Sequence, residues 1–286
     1  MNKLSEGVFE GERALYASRD LAVSDSVFRN GESPLKESRN IEVRDSIFEW
    51  KYPLWYCEGV RVERSTLLTT ARSGIWYTHG ITMKNCTIDA PKTFRRSTDI
   101  TLEDCTMPYA QESLWGCNGV VMRRVSASGD YFAMNAKNID IEEFSLSGNY
   151  AFDGGENLKI KNARLISKDA FWNCKNVTVE DSVIIGEYIG WNSEDVTLVN
   201  CTVQSEQGFC YMKDVKLVNC KLINTDLAFE YSTVDADVKS RIVSVKNPIS
   251  GVIRANGIDE LIMDSECVDV GATDISVREN ASECAV

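Results

Sequence analysis

The sequence predicts an all-β chain wound as a single-stranded, right-handed parallel β-helix of about eleven or twelve coils. Two observations predict it. One short phrase recurs eleven times between Asp20 and Asp214: an Asp, Asn or Gly followed by apolar residues at the first, third and eighth positions after it. The punctuating residues are Asp20, Asn40, Gly59, Gly80, Asp99, Gly119, Asn138, Asn157, Asn176, Asp195 and Asp214, spaced by 19 to 21 residues. Such a fixed period over two hundred residues is the mark of a solenoid. The second observation is the alternation after each turn, as in Ile41-Glu42-Val43 and Val177-Thr178-Val179. Alternation is strand periodicity.

The elements follow in order. Residues 1–14 are expected to cap the open edge of the first coil. The turn residue of each coil is one that tolerates positive φ cheaply. Six residues later stands a small side chain, in Ser26, Ser46, Ser65, Cys86, Cys105, Ser182, Cys201 and Cys220. Two further on stands an apolar one, in Phe28, Phe48, Leu67, Ile88 and Ile184. Stacked inward columns of this kind suit a thin core whose strands pair with their equivalents about 4.8 Å away, giving a helix roughly 50–60 Å long. Leucine-rich repeats are excluded because their Leu-and-Asn frame is missing, and left-handed β-helices because no inner six-residue period is present. From Ser232 the period breaks, so residues 232–264 are expected to form a divergent last coil. Residues 265–286 are expected to be a loose acidic tail.

Composition narrows the function classes. The 286 residues carry a net charge of −12, which argues against nucleic acid as partner because binding it needs a basic face. No apolar run is long enough to span a membrane. The first residues lack an apolar signal core, so the expected compartment is the cytoplasm. In a reducing compartment the ten cysteines are expected to be free thiols serving as small core residues. No Cys or His spacing suggests a metal site, and no cofactor is expected.

Several segments carry a more specific resemblance. They are Gly31-Glu32-Ser33-Pro34-Leu35-Lys36-Glu37-Ser38, Trp50-Lys51-Tyr52-Pro53-Leu54-Trp55-Tyr56-Cys57, Gly74-Ile75-Trp76-Tyr77, Ala90-Pro91-Lys92-Thr93-Phe94-Arg95-Arg96, Lys168-Asp169-Ala170-Phe171-Trp172-Asn173 and Ala228-Phe229-Glu230-Tyr231-Ser232-Thr233. They resemble a bacterial family filed as a domain of unknown function within the pectate-lyase-like β-helix superfamily, over residues 6–264. The resemblance implies the fold. It implies no reaction, although the wider superfamily includes polysaccharide lyases and glycoside hydrolases, because fold does not fix function.

Function has to come from side chains. Four residues before each turn lies a column containing Lys36, Trp55, Trp76, Arg95, Trp115, Asp153, Trp172 and Trp191, and the residue before it never carries a charge. The uncharged column is expected to point inward and the tryptophan column outward, since a thin core cannot bury Lys36, Arg95 and Asp153. Three residues before the turn come Tyr56, Arg96, Asn135, Asn173, Asn192, Tyr211 and Glu230. Two readings of this face stand side by side. Exposed aromatic faces in a row suit sugar rings, with Arg95 and Arg96 pairing a ligand carboxylate. Alternatively the ladder is a structural or assembly surface of a non-catalytic scaffold or homo-oligomer.

The candidate ligand-binding residues are therefore Lys36, Trp55, Trp76, Arg95, Arg96, Trp115, Asn135, Trp172, Asn173, Trp191, Asn192, Tyr211 and Glu230. Asp153 and Asp169 are the candidate catalytic acids. They are roughly 11 Å apart in Cα terms, which side chains could narrow toward the separation of an inverting pair. Glu187 and Glu206 are a weaker pair beside Lys168.

Overall fold

The computed structural model describes residues 1–278. They form a right-handed parallel β-helix whose contacts divide into two compact units, Met1–Phe152 and a second beginning at Asp153. In the first unit eight strands stack in register, from Asn2–Ser5 and Arg19–Ser24 to Asn118–Ser128 and Lys137–Ser147. Leu21, Ile41, Val60, Ile81, Ile100, Val120 and Ile139 face one another along this ladder. In the second unit seven strands stack, from Glu156–Ile166 to Thr273–Val277. The described rungs therefore number fifteen, more than the eleven or twelve expected.

The extra rungs lie at the two ends. Asn2–Ser5 pairs with Arg19–Ser24, and Val8–Glu10 with Val27–Arg29, so residues 2–10 continue the helix where a cap was expected. After Ser232 the chain still winds: Thr233–Val238, Ser250–Ala255 and Thr273–Val277 pair in succession. A register shift between Leu217 and Cys220 is where the regular period ends. The expected tail thus contains a strand, and residues 279–286 lie outside the described residues.

Each regular coil turns three corners, and each corner residue has positive φ. The first is the turn residue itself, such as Asp20, Asn40 and Asp99 at φ 48 to 54. The second lies five residues on, as in Asp25, Asp45, Arg64 and Asn85. The third lies three before the next turn, as in Tyr56, Asn135 and Asn173. A positive φ swings the following N–H out of the strand ladder, and a buried N–H needs a partner. The small-residue column supplies it. Ser26 N–H donates to Ser46 Oγ and Ser46 N–H to Ser65 Oγ, both at 3.1 Å. Each hydroxyl then donates to the carbonyl two residues back, Ser26 to Ser24 and Ser46 to Arg44, at 2.6 Å. In the same column the Cys86 and Cys105 thiols point at backbone carbonyls in the same way. The nine described cysteines are free.

The core is the pair of inward columns flanking this corner, together with the uncharged column five before the turn. Leu35, Leu54, Ile75, Phe94, Leu114, Phe152, Phe171 and Phe209 are all buried there. This burial fixes which side chains the neighbouring columns present outward. Among the described residues the one helix is a single 3-10 turn, Thr69–Ala71, and no helix is long and apolar enough to cross a membrane.

Candidate functional site

In the first unit two residues of the column four before the turn, Trp76 and Arg95, sit on short parallel strands. Ile75–Trp76 pairs with Phe94–Arg95, and Arg95 bridges to Trp115. In-register pairing sets equivalent side chains one rung apart, about 4.8 Å, an interval that flat groups fill by lying parallel. Trp55 and Trp76 stack at 5.1 Å and 10°. The Arg95 guanidinium carbon lies 4.8 Å from the ring centroids of both Trp76 and Trp115. Trp55, Trp76, Arg95 and Trp115 are therefore one continuous pile.

Hydrogen bonds pin the pile to the neighbouring corner. Trp76 Nε1 donates to the Lys92 carbonyl at 2.8 Å, and Trp55 Nε1 to the Ser73 carbonyl. Arg95 Nη2 meets Glu112 Oε2 at 2.9 Å, and Lys92 Nζ meets Glu112 Oε1 at 3.1 Å. Arg95 Nε is buried with no hydrogen-bond partner among the described residues. Beside the pile, Tyr56 and Tyr77 stack at 5.0 Å and 10°, with Lys36 Nζ 5.5 Å from the Tyr56 centroid. The ring faces within the pile are turned toward one another, the arrangement that the structural reading of the ladder expected. Arg96, at the corner position, is exposed.

The second unit repeats the offsets with a different arrangement. The short paired strands here are Asp169–Ala170 and Tyr188–Ile189, and Phe171 has φ 61. The indoles consequently follow a corner rather than a strand. Trp172 and Trp191 meet edge to face, at 5.7 Å and 64°. Trp191 then stacks on Tyr211 at 5.4 Å and 6°, and Tyr211 packs on Tyr231 at 5.6 Å and 40°. Tyr211 is 44% exposed, close to the 49% of Tyr56.

Glu230 does not occupy the corner column it was assigned to, and it is buried. Twenty residues rather than nineteen separate Tyr211 from its equivalent, so Tyr231 takes the positive-φ corner and Glu230 is buried. Its carboxylate accepts from Gln207 Nε2 at 2.9 Å and pairs with Lys246 Nζ at 2.8 Å. That contact raises the Lys246 pKa. Tyr231 is therefore the strip residue that the 19-residue count misses. Lys92 and Glu112 are also missing from the expected set, although both stand seven before a turn and were readable there.

The asparagines have a corner role. Asn135, Asn173 and Asn192 all have positive φ. Asn173 Nδ2 donates to Asp153 Oδ1 at 2.9 Å, and Asn192 Nδ2 to Asn173 Oδ1 at 2.8 Å. The other corners carry the same device: Asn138 donates to Asn118, and Asn219 to Asn200, at 2.7 and 2.8 Å. Amides three before the turn suit this corner, which Tyr56, Arg96 and Tyr211 adopt as well.

The candidate acids sit in structural contacts. Asp153 is half-buried and accepts from Asn173. Asp169 is 2% exposed, and burial pushes its pKa up, with Glu187 adding to the rise and Lys168 opposing it. Glu187 pairs with Lys168 at 3.2 Å. Asn135 and Trp115 belong to the first unit, and Asp153, Trp172 and Asn173 to the second. Among the described residues no group of three or more His, Cys, Asp or Glu could hold a metal ion.

Comparison with known proteins places this geometry. Over residues 2–276 the chain matches the family described as "Protein of unknown function (DUF3737)", and it belongs to that family. No curated protein sequence matches it. Among solved structures it is similar to the A-module of the Azotobacter vinelandii mannuronan C-5 epimerase AlgE6, with 11% identity, 97% of this chain and 91% of that one covered, and a TM-score of 0.39. For the AlgE4 A-module of the same organism the identity is 10%, the coverage 97% and 89%, and the TM-score 0.33. PfbA, a surface adhesin of Streptococcus pneumoniae, is 8% identical, with 96% and 83% covered and a TM-score of 0.39. Likeness at this level says nothing about ligand or activity.

Proposed function

We propose that this member of the DUF3737 family is a non-catalytic scaffold whose strip of Trp, Tyr and Arg docks another macromolecule. One observation carries the reading: the pile of Trp55, Trp76, Arg95 and Trp115 covers its own ring faces. A surface of aromatic edges, phenol hydroxyls and guanidinium groups matches the composition of protein–protein contact sites, where Trp, Tyr and Arg dominate the energetics. The engaged state of the acids supports the same view. Asp153, Glu112, Glu187 and Glu230 each bind a neighbouring side chain, and Asp169 is buried.

A second reading, carbohydrate binding by the same strip, is favoured by Tyr56 and Tyr211. Both are well exposed at positive-φ corners, where Asn or Gly would be less strained. Their hydroxyls and adjoining amides suit a sugar chain, uronate-containing if Arg96 takes part.

One experiment separates the readings. Neutral and uronate oligosaccharides are titrated into the chain, with tryptophan fluorescence and product formation followed together. The scaffold reading expects neither quenching nor products. Saturable quenching that Tyr211→Asn abolishes would transfer the strip to carbohydrate, and new products would overturn the non-catalytic assignment.

A further inference from the structure

One acid in each unit stands seven residues before a turn, beside the tryptophan column: Glu112 in the first and Asp169 in the second. Glu112 is neutralised from within the chain. It holds Lys92 at 3.1 Å and Arg95 at 2.9 Å, and Arg95 comes from the tryptophan column one rung earlier. The Arg95 guanidinium meanwhile lies between Trp76 and Trp115, 4.8 Å from each ring centre. Asp169 has no such partner. It is 2% exposed and makes no hydrogen bond or ion pair among the described residues. Lys168, next to it, pairs with Glu187 at 3.2 Å. The tryptophan-column position one rung before Asp169, where the first unit has Arg95, is occupied by Asp153. An acid thus stands where the counter-ion stands in the first unit. Burying a carboxylate without a counter-ion is costly, and burial raises the Asp169 pKa accordingly. Among the described residues the sealed polar atoms without a partner lie on other side chains, so this carboxyl keeps an edge to solvent.

We infer that Asp169 and Asp153 form a binding site for a guanidinium group carried by a ligand, which takes in the second unit the place that Arg95 takes in the first. The chemistry of the site selects that group. Two carboxyls without a cation favour a cationic ligand, and a chain of net charge −12 draws cations toward it. A guanidinium fits better than an ammonium, because its planar fork pairs a carboxylate through two parallel bonds and its faces stack on aromatic rings. Asn173 Nδ2 engages Oδ1 of Asp153, which leaves Oδ2 to accept. Tyr188 pairs in register with Asp169, and its ring meets Trp191 at 5.3 Å, so aromatic groups continue past the acid on the next rung. Trp172 follows Asp153 in its column as Trp115 follows Arg95. Burial strengthens the contact, because a charge pair drawn out of water is screened less. The site goes beyond the docking reading of the strip: a free guanidinium compound fills it whether or not the strip meets a macromolecule.

The test is calorimetric titration of the intact chain with two probes, methylguanidine for a free small molecule and N-acetylargininamide for an arginine of a partner chain. Saturable binding of both below about 10 mM is expected. Equal affinities assign the site to the group alone, and tighter binding of N-acetylargininamide assigns it to an arginine within a chain. N-acetyllysinamide is expected to bind more weakly than N-acetylargininamide. Asp169→Asn is expected to weaken binding by about tenfold or more. Glu260→Gln removes the same charge from an exposed position outside the strip and should leave affinity unchanged. Asp153→Arg puts the chain's own guanidinium where the first unit has Arg95, so it should block both probes and raise the melting temperature. The inference is overturned by the absence of saturable binding, by equal affinity for the lysine probe, by equal losses in Asp169→Asn and Glu260→Gln, or by probe binding that survives Asp153→Arg. None of these outcomes bears on docking by the strip.

Discussion

The same sequence column behaves differently in the two units. In the first, Trp55, Trp76, Arg95 and Trp115 form a parallel pile tied down by indole N–H bonds and by Glu112. In the second, Trp172 and Trp191 meet at 64°, and stacking resumes only between Trp191 and Tyr211. Ile75–Trp76 and Phe94–Arg95 are strand, so successive rings are held parallel at the rung spacing. Positive φ before the ring occurs in both units, at Leu114 before Trp115 as at Phe171 and Gly190, so it does not by itself set the ring geometry. An offset therefore selects a face of the coil, while ring geometry depends on what each ring meets on the next rung.

If the first pile is a brace, breaking it should have the largest effect. Trp76→Ala should destabilise the protein by about 2–3 kcal/mol, somewhat less than for a fully buried ring because Trp76 is half-exposed. Trp191→Ala should lose only about 1–2 kcal/mol, since two of its ring contacts, to Trp172 and Tyr188, are tilted rather than parallel. Urea unfolding of both variants gives the comparison directly, and equal losses would remove the distinction between the units.

The next effect isolates the cation inside the pile. Arg95→Lys keeps the charge but loses the flat group lying between two indoles, and should lower stability by about 1–2 kcal/mol. A near-neutral result would mean that charge pairing with Glu112, not stacking, holds Arg95.

A pH-dependent effect belongs to the second unit. Burial raises the Asp169 pKa in the folded chain. A carboxyl whose folded pKa lies above its unfolded value adds stability below the unfolded pKa, and that stability is lost as pH rises through the folded pKa. Asp169→Asn removes the loss, so at neutral pH the variant should exceed wild type by up to about 1 kcal/mol. The gap should close toward pH about 4, near the ordinary Asp pKa. Thermal melts across that range show it, and a variant less stable than wild type at pH 7 would mean that the carboxylate makes a needed contact.

The smallest change tests the corner column shared by both units. Cys86→Ser and Cys201→Ser should shift stability by no more than about 0.5–1 kcal/mol, because Ser26, Ser46, Ser65 and Ser182 already perform that corner hydrogen bonding. A larger loss at Cys201 than at Cys86 would show that the corner is not equivalent in the two units.

Much of this was legible in the chain itself. The period, the inward columns, the first corner and the parallel stacking follow from local rules repeated at fixed spacing, and repetition makes a weak local signal strong. The outward placement of the tryptophan strip was readable for the same reason, since Lys36, Arg95 and Asp153 share its column. The second corner was not read, because Asp25, Arg64 and Glu143 share a backbone conformation and no side-chain type. For Asn173 and Asn192 the sequence leaves ligand contact and corner residue side by side, since Asn tolerates the positive φ that both adopt.

The sequence by itself determined that this chain is a right-handed parallel β-helix and which positions of each coil face the core. Tertiary structure alone decided how the strip's rings pack, and that Glu230 is buried while Tyr231 takes the corner. The physical reason is range. Facing in or out is a property of one residue and its period. Ring stacking and burial of a particular acid depend on the rung above or below, some twenty residues away in the chain.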